Sequence, residues 1–537
     1  MATERILPRV IDEDGTAHYT SMLTPPDDSY GVCYVIPDAI IPVIFVPGIM
    51  GSNLMDAEGN AVWLVDSPWS VASKWAGASS SERKAVLAPD STFVFGAGKL
   101  PNNTPHSAKE LRRRGWGEVG AMSYGDFLAW LDHHLNDYHP ETDHGRNGLR
   151  AALMKQVLKS DNTLAPLTYE EVLVSYQFQF PVHAVGYNWL QSNRSSAERL
   201  RAKIAEFMAY YRSQKRRCEK VILVTHSMGG LVARHYSEVL GGSKDVLGVV
   251  HGVMPATGAA AAYKRVKAGT EGTAGLVLGD NAEAVTAVFA QAPGALQLLP
   301  SADYGMGWLK IRDFDRVVSL PKRDPYEEIH LQRGKWWGLI SDRFLNPLDP
   351  QRRMIEQDWD AFGQLMLRHV KPFHTEIAGK YHPHTYVFYG EDARSKTWGD
   401  VTWKRTIAPN LNGVVPKLVP YVRDLTGGKV QWDHGRGRQG VSIEGGHPDE
   451  SAYFILQPQD EAGDGTVPVR SGRAPRGRRG VQLCMSFSGF EHEAAFKDAP
   501  EPGLLNWSNN DERRRFTLWA ITRIAHRIQT TDLACTL

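Results

Sequence analysis

Residues 221–231 read Val-Ile-Leu-Val-Thr-His-Ser-Met-Gly-Gly-Leu, and no other stretch of the chain limits its fold so sharply. An unbroken β-branched and apolar run suits a strand buried on both faces. It stops at Thr225-His226-Ser227-Met228-Gly229, and a segment with helical spacing follows at once. A serine on a tight strand-to-helix turn, flanked by small residues, is raised above the carboxyl edge of a parallel sheet. The expected fold class is therefore α/β: an α/β-hydrolase fold with a mostly parallel sheet, helices on both faces and large insertions forming a cap or lid. One position departs from the G-x-S-x-G form. Thr225 stands where the first glycine is usual, and a β-branched residue there should add crowding close to the turn.

Short runs rich in Val, Ile and Phe recur at 43–46, 180–185, 221–224, 246–253, 385–389 and 481–487, separated by helical or loop-like stretches. Parallel strands need such crossovers between them. Two intervals are too long to be simple connections. Residues 53–175, which hold Trp63, Trp69, Trp75, Trp116 and Trp130, are read as a partly helical insertion. Residues 258–383 are read as a cap or lid insertion, although their apolar stripes suit ordinary core helices equally well. The closing segment from Asp511 to Ile528 carries Phe516, Leu518, Trp519, Ile521, Ile524 and Ile528 near helical spacing and should pack on the sheet. Residues 1–537 are taken as a single catalytic domain.

A chain of 537 residues, 42% hydrophobic and 10% aromatic, can bury one large core or two moderate ones. Its 61 Lys and Arg balance 60 Asp and Glu to a formal charge of +1, so the overall charge gives no case for nucleic acid. Cys33, Cys218, Cys484 and Cys535 are far apart and lack CxxC spacing, which suits a reducing compartment. The amino-terminal residues lack the apolar core and cleavage site of a signal peptide. The longest apolar run, Ile40 to Met50, is broken by Pro42 and Pro47 and falls short of the ~20 residues that span a bilayer. Synthesis in the cytoplasm as a soluble protein is the expectation.

Acyl transfer needs a nucleophile, a base, an acid that orients the base, and donors for the developing oxyanion. Ser227 is the candidate nucleophile. In this fold the acid and base follow it in the order Asp or Glu, then His. Asp464 lies in Gly463-Asp464-Gly465-Thr466-Val467-Pro468, where Asp-Gly alone commonly marks no more than a turn. His492 follows the 481–487 run directly, at the carboxyl end of a strand, where a base is needed. His374, His382 and His384 precede Asp464, and His526 lies in the closing helix. For the oxyanion, the Met228 amide follows the nucleophile, and Pro47-Gly48-Ile49-Met50-Gly51-Ser52 forms a loop after an early strand. Met50 is the preferred donor in that loop, with Ile49 the alternative. No carboxylate cluster has the spacing of metal ligands, and no cofactor is expected.

The segments Pro-Val-Ile-Phe-Val-Pro-Gly-Ile-Met-Gly-Ser-Asn-Leu at 42–54, Gly-Tyr-Asn-Trp at 186–189, Thr-His-Ser-Met-Gly-Gly at 225–230 and Gly-Asp-Gly-Thr-Val-Pro at 463–468 precede the late His492. In that order they resemble the lecithin-cholesterol acyltransferase family. The resemblance implies a lidded α/β-hydrolase acting on acyl esters of lipids through Ser227, Asp464 and His492. It implies Met50 and Met228 at the oxyanion hole, with Ile49 and Trp189 as substrate-binding residues. Thr225 and the missing signal peptide separate the chain from secreted animal members. Met254-Pro255-Ala256-Thr257-Gly258 and the Gly-Phe-Glu-His-Glu context of His492 are more similar to bacterial lipases of the type VI secretion effector kind, which are exported without a cleaved signal. That likeness implies a phospholipid substrate, peripheral contact with a membrane surface, and a cognate immunity or inhibitor protein.

The expected activity is that of a lipolytic serine esterase of phospholipase A type. A lipid acyltransferase uses the same acyl-enzyme, and the triad residues do not separate the two. A non-catalytic hydrolase fold serving as a binding module would be expected to have lost a triad position, and none is lost. Arg470, Arg473, Arg476, Arg478 and Arg479 follow the acid loop and suit either anionic head groups or a solvated loop.

Overall fold

The structure, a computed structural model, describes residues 37–137, 148–155, 164–271, 279–406, 422–442, 451–497 and 511–530. It also describes four short strands, Glu4–Ile6, Arg9–Ile11, Ala17–Tyr19 and Tyr30–Val32. The strands expected from the sequence come together in one six-stranded sheet. They are β1 (Val43–Val46), β2 (Val182–Ala184), β3 (Val221–His226), β4 (Val246–Gly252), β5 (Thr385–Gly390) and β6 (Val481–Phe487). Their spatial order is β6-β5-β4-β3-β1-β2, and each neighbouring pair is parallel.

The sheet is buried on both faces, which is why its central strands read as continuous apolar runs. Val43, Phe45, Ile222 and Val224 enter one core, and Ile44, Val46, Val221 and Leu223 enter the other. Helices α1 (Asp126–Leu135) and α4 (Glu512–His526) cover the first face with Phe127, Trp130, Phe516, Trp519 and Ile521. Helices α2 (Asn193–Ser213) and α3 (Gly229–Glu238) cover the second with Leu200, Ile204, Phe207, Leu231 and Val232. Close contact of α4 depends on Gly248 in β4, since a β-carbon there would lie 2.7 Å from the Ile524 side chain.

A second six-stranded sheet is the main element missing from the sequence reading. It is built from Leu309–Asp313, Arg316–Leu320, Val401–Thr406, Val430–Asp433, Arg438–Ser442 and Ser451–Leu456. Its chain comes from both sides of β5, so the excursion from the central sheet extends past residue 383 to the acid loop. Leu309, Ile311, Val401 and Trp403 bury one face against a third core with Trp308, Trp336 and Phe454. Arg312 and Lys404 alternate with them and are exposed. Such half-buried strands lack the unbroken apolar runs that mark the central sheet.

The 53–175 interval contributes a three-stranded sheet of Leu54–Met55, Ala61–Trp63 and Phe93–Val94, and several helices including α1. Cys218 and Cys484 are buried free thiols, while Cys33 and Cys535 lie outside the described residues. No described helix is long and apolar enough to cross a membrane.

Candidate active site

Strand β3 ends at His226, and Ser227 turns the chain into α3 with a φ of 51°. This left-handed conformation is unfavourable for a residue with a β-carbon and is held by its surroundings. A β-carbon at Gly229 would lie 2.4 Å from the carbonyl oxygens of both Val46 and Pro47, and one at Gly230 would lie 2.6 Å from the Met254 sulfur. The turn is thus clamped between the exits of β1 and β4. Met50 and Val253, which follow those same neighbouring strands, also have positive φ, 62° and 46°. Three of the six described non-glycine residues with positive φ thus lie along one edge of the sheet, a kind of strain associated with functional sites.

The structure brings the three sequence-predicted residues together at this edge. His492 Nε2 is 2.8 Å from Ser227 Oγ, and His492 Nδ1 is 2.8 Å from Asp464 Oδ2. The other carboxylate oxygen of Asp464 accepts from the amides of Thr466 at 3.0 Å and Val467 at 2.7 Å. The His492 amide donates to the Asp464 carbonyl at 2.8 Å. Asp464 has a fully buried side chain, whereas that of His492 is 15% exposed. Gly390, at the end of β5, makes room for the acid, because a β-carbon there would lie 2.6 Å from that of Asp464. In such an arrangement the imidazole can take the hydroxyl proton while the carboxylate holds the opposite ring nitrogen.

Thr225 is accommodated without the crowding expected of it. It lies inside β3, in register with Val46 and His251, and its hydroxyl is 2.8 Å from His251 Nδ1. Burial pushes the His251 imidazole down to about 3, so the partner is a neutral ring.

Met50 sits in the loop after β1, and its carbonyl accepts from Trp63 Nε1 at 2.8 Å. Among the described residues, the amides of Met50 and Met228 make no backbone hydrogen bond. Ile49 is half-buried next to Met50. Trp189 is buried and packs edge-on against Trp63, with ring centroids 5.3 Å apart, so it stands behind the Met50 loop. Nothing in the local sequence around Trp63 marks this role, since its bond to Met50 depends on the fold. Of the arginines after the acid loop, Arg470 pairs with Glu461 and Asp400, and Arg476 donates to the Tyr389 hydroxyl and the Cys484 carbonyl. No group of described His, Cys, Asp or Glu residues is placed to hold a metal ion.

A family model described as a PGAP1-like alpha/beta domain matches residues 177–246, the span that carries β2, α2, β3, the serine turn and α3. Comparison with curated proteins finds no match. Among solved structures, a chain in the crystal structure of the Tle4-Tli4 complex aligns with a TM-score of 0.73 and 29% sequence identity, covering 91% of this chain and 99% of that one. The chain has an α/β-hydrolase fold, and its likeness to a chain of the Tle4-Tli4 complex runs through nearly all of both molecules.

Proposed function

We propose that the protein is a lipolytic serine esterase of phospholipase A type, a carboxylic-ester hydrolase deployed as a type VI secretion effector. The observation that carries the chemistry is the pair of 2.8 Å contacts that joins Ser227, His492 and Asp464. His492 Nε2 takes the proton of Ser227 as Oγ attacks the acyl carbonyl, and Asp464 steadies the imidazolium through Nδ1–H. The oxyanion accepts from the amides of Met50 and Met228. As the C–O bond breaks, His492 returns the proton to the departing lysolipid oxygen. Water, deprotonated by the same imidazole, then releases the fatty acid and restores Ser227.

The lipid class rests on the motif resemblance, and the presence of the similar chain in a Tle4-Tli4 complex supports a protein partner for this chain, which the resemblance makes a cognate immunity or inhibitor protein. Residues 258–383, together with the second sheet, are assigned to a cap over the site. Ile49 contacts the acyl chain, and Trp189 acts from behind by bracing Trp63 against the Met50 loop. The test is incubation with defined phospholipids and an acceptor alcohol, with products identified by mass spectrometry. Free fatty acid and lysolipid are expected. A new ester of the acceptor would make the protein an acyltransferase, and no product from any ester would overturn the reading.

A further inference from the structure

His226, the residue before the nucleophile, takes no part in the proton transfers above, yet both of its ring nitrogens are engaged. Nε2 lies 3.0 Å from the backbone carbonyl of His492, and Nδ1 lies 2.8 Å from the Tyr124 hydroxyl. The Gly48 amide lies 3.2 Å from that same hydroxyl. A carbonyl oxygen can only accept, so Nε2 carries the ring proton. Nδ1 of the neutral ring is then an acceptor, Tyr124 donates to it, and the phenol oxygen accepts the Gly48 N–H. The carbonyl at one end thus sets the direction of each bond in the chain. Burial keeps both groups neutral: it pushes the His226 imidazole down to about 3 and the Tyr124 phenol well above its ordinary value.

Two further observations point the same way. A β-carbon at Gly48 would lie 2.9 Å from His226 Nδ1, and one at Gly51 would lie 2.7 Å from the Tyr124 hydroxyl oxygen. The glycines of the loop that carries Met50 are therefore spaced to admit these two side chains. Tyr124 itself sits in a π-helical turn, Ala121–Gly125, at the head of α1. Widened turns of this kind are frequent at functional sites. Its ring packs on Phe45 of β1 with centroids 4.9 Å apart.

We infer that Tyr124 and His226 are positioning residues whose hydrogen-bonded chain ties the Gly48–Met50 loop to the backbone of His492, so that oxyanion donor and base hold their places around Ser227 together. Neither side chain touches substrate; each acts through the backbone it fixes. The inference rests on the triad reading proposed above.

The test is steady-state hydrolysis of a soluble short-chain ester by the full-length protein, with functional sites counted by fluorophosphonate titration carried to completion. Tyr124→Phe removes one oxygen and leaves the Gly48 amide and His226 Nδ1 without partners. It should lower kcat per titrated site by about ten- to a hundredfold, with KM within about threefold of wild type, because a small misplacement of reacting groups acts on the chemical step. His226→Leu should fall at least as far. His226→Gln, which retains a donor and an acceptor, should recover activity several-fold over the leucine variant. Tyr124→Phe and His226→Leu variants with kcat per site within twofold of wild type would overturn the inference, even if the titratable fraction falls, since that is the signature of a merely structural role. A wild-type protein that neither titrates nor hydrolyses the ester would sink the triad reading itself and the inference with it.

Discussion

At the scale of residues, the acid end of the proposed triad is the better sheltered one. The Asp464 carboxylate is buried and accepts from the Thr466 and Val467 amides as well as from His492, so its charge is held by fixed donors and its orientation is set. Asp464→Asn keeps the shape but loses the acceptor that selects the correct imidazole tautomer. It is expected to lower kcat by about 10⁴-fold with little change in the unfolding midpoint, as read by ester hydrolysis and thermal melts. Thr225 poses the opposite case, a departure from motif that is structural. Its hydroxyl meets buried His251, so Thr225→Val should cost about 1–3 kcal/mol in urea-induced unfolding by leaving that ring nitrogen unpaired. The rule that places glycine at this position concerns the turn, and Thr225 lies one step inside the strand.

At the scale of elements, what is legible in the sequence depends on how each element is buried. Strands β1, β3 and β4 are buried on both faces and announce themselves as apolar runs. Ser227 is legible because a strand, a tight turn running into Gly229-Gly230 and a helix occur in direct succession, and His492 because it follows β6. Asp464 is harder to see, since its loop is reached only after the second sheet, whose strands alternate Ile311 with Arg312 and Trp403 with Lys404. Tyr124, Trp63 and the ring contacts of His226 are tertiary in origin and leave no local pattern. Glycines differ in the same way. Gly363, within the helix Ile355–Leu365, has open space where a β-carbon would sit, so Gly363→Ala should raise the unfolding free energy by about 0.5–1 kcal/mol. Gly229→Ala, whose β-carbon would meet two carbonyl oxygens at 2.4 Å, should instead distort the serine turn. Urea titration of the first variant and fluorophosphonate labelling of the second check the pair.

At the scale of the whole molecule, buried imidazoles couple folding to pH. Burial pushes His226 and His251 down to about 3, and His330, His374 and His382 down to about 4, against 6.5 for the unperturbed side chain. Between these values the unfolded chain binds protons that the folded chain refuses. Their contribution to stability is therefore fully present above about pH 6.5 and is lost as pH falls towards 4 and 3. The melting temperature should be nearly level from pH 8 to 7 and drop with increasing steepness below about pH 6; a flat profile down to pH 5 would refute this. The same fold gathers three sequence-distant residues, Ser227, Asp464 and His492, at one edge of a parallel sheet, where the proposed chemistry takes place. Intact-mass and peptide analysis after fluorophosphonate treatment tests it most directly. The expected result is a single adduct on the peptide containing Ser227, absent from a Ser227→Ala protein that still folds. An adduct that persists in that variant, or none in the wild type, would rule out Ser227 as the nucleophile.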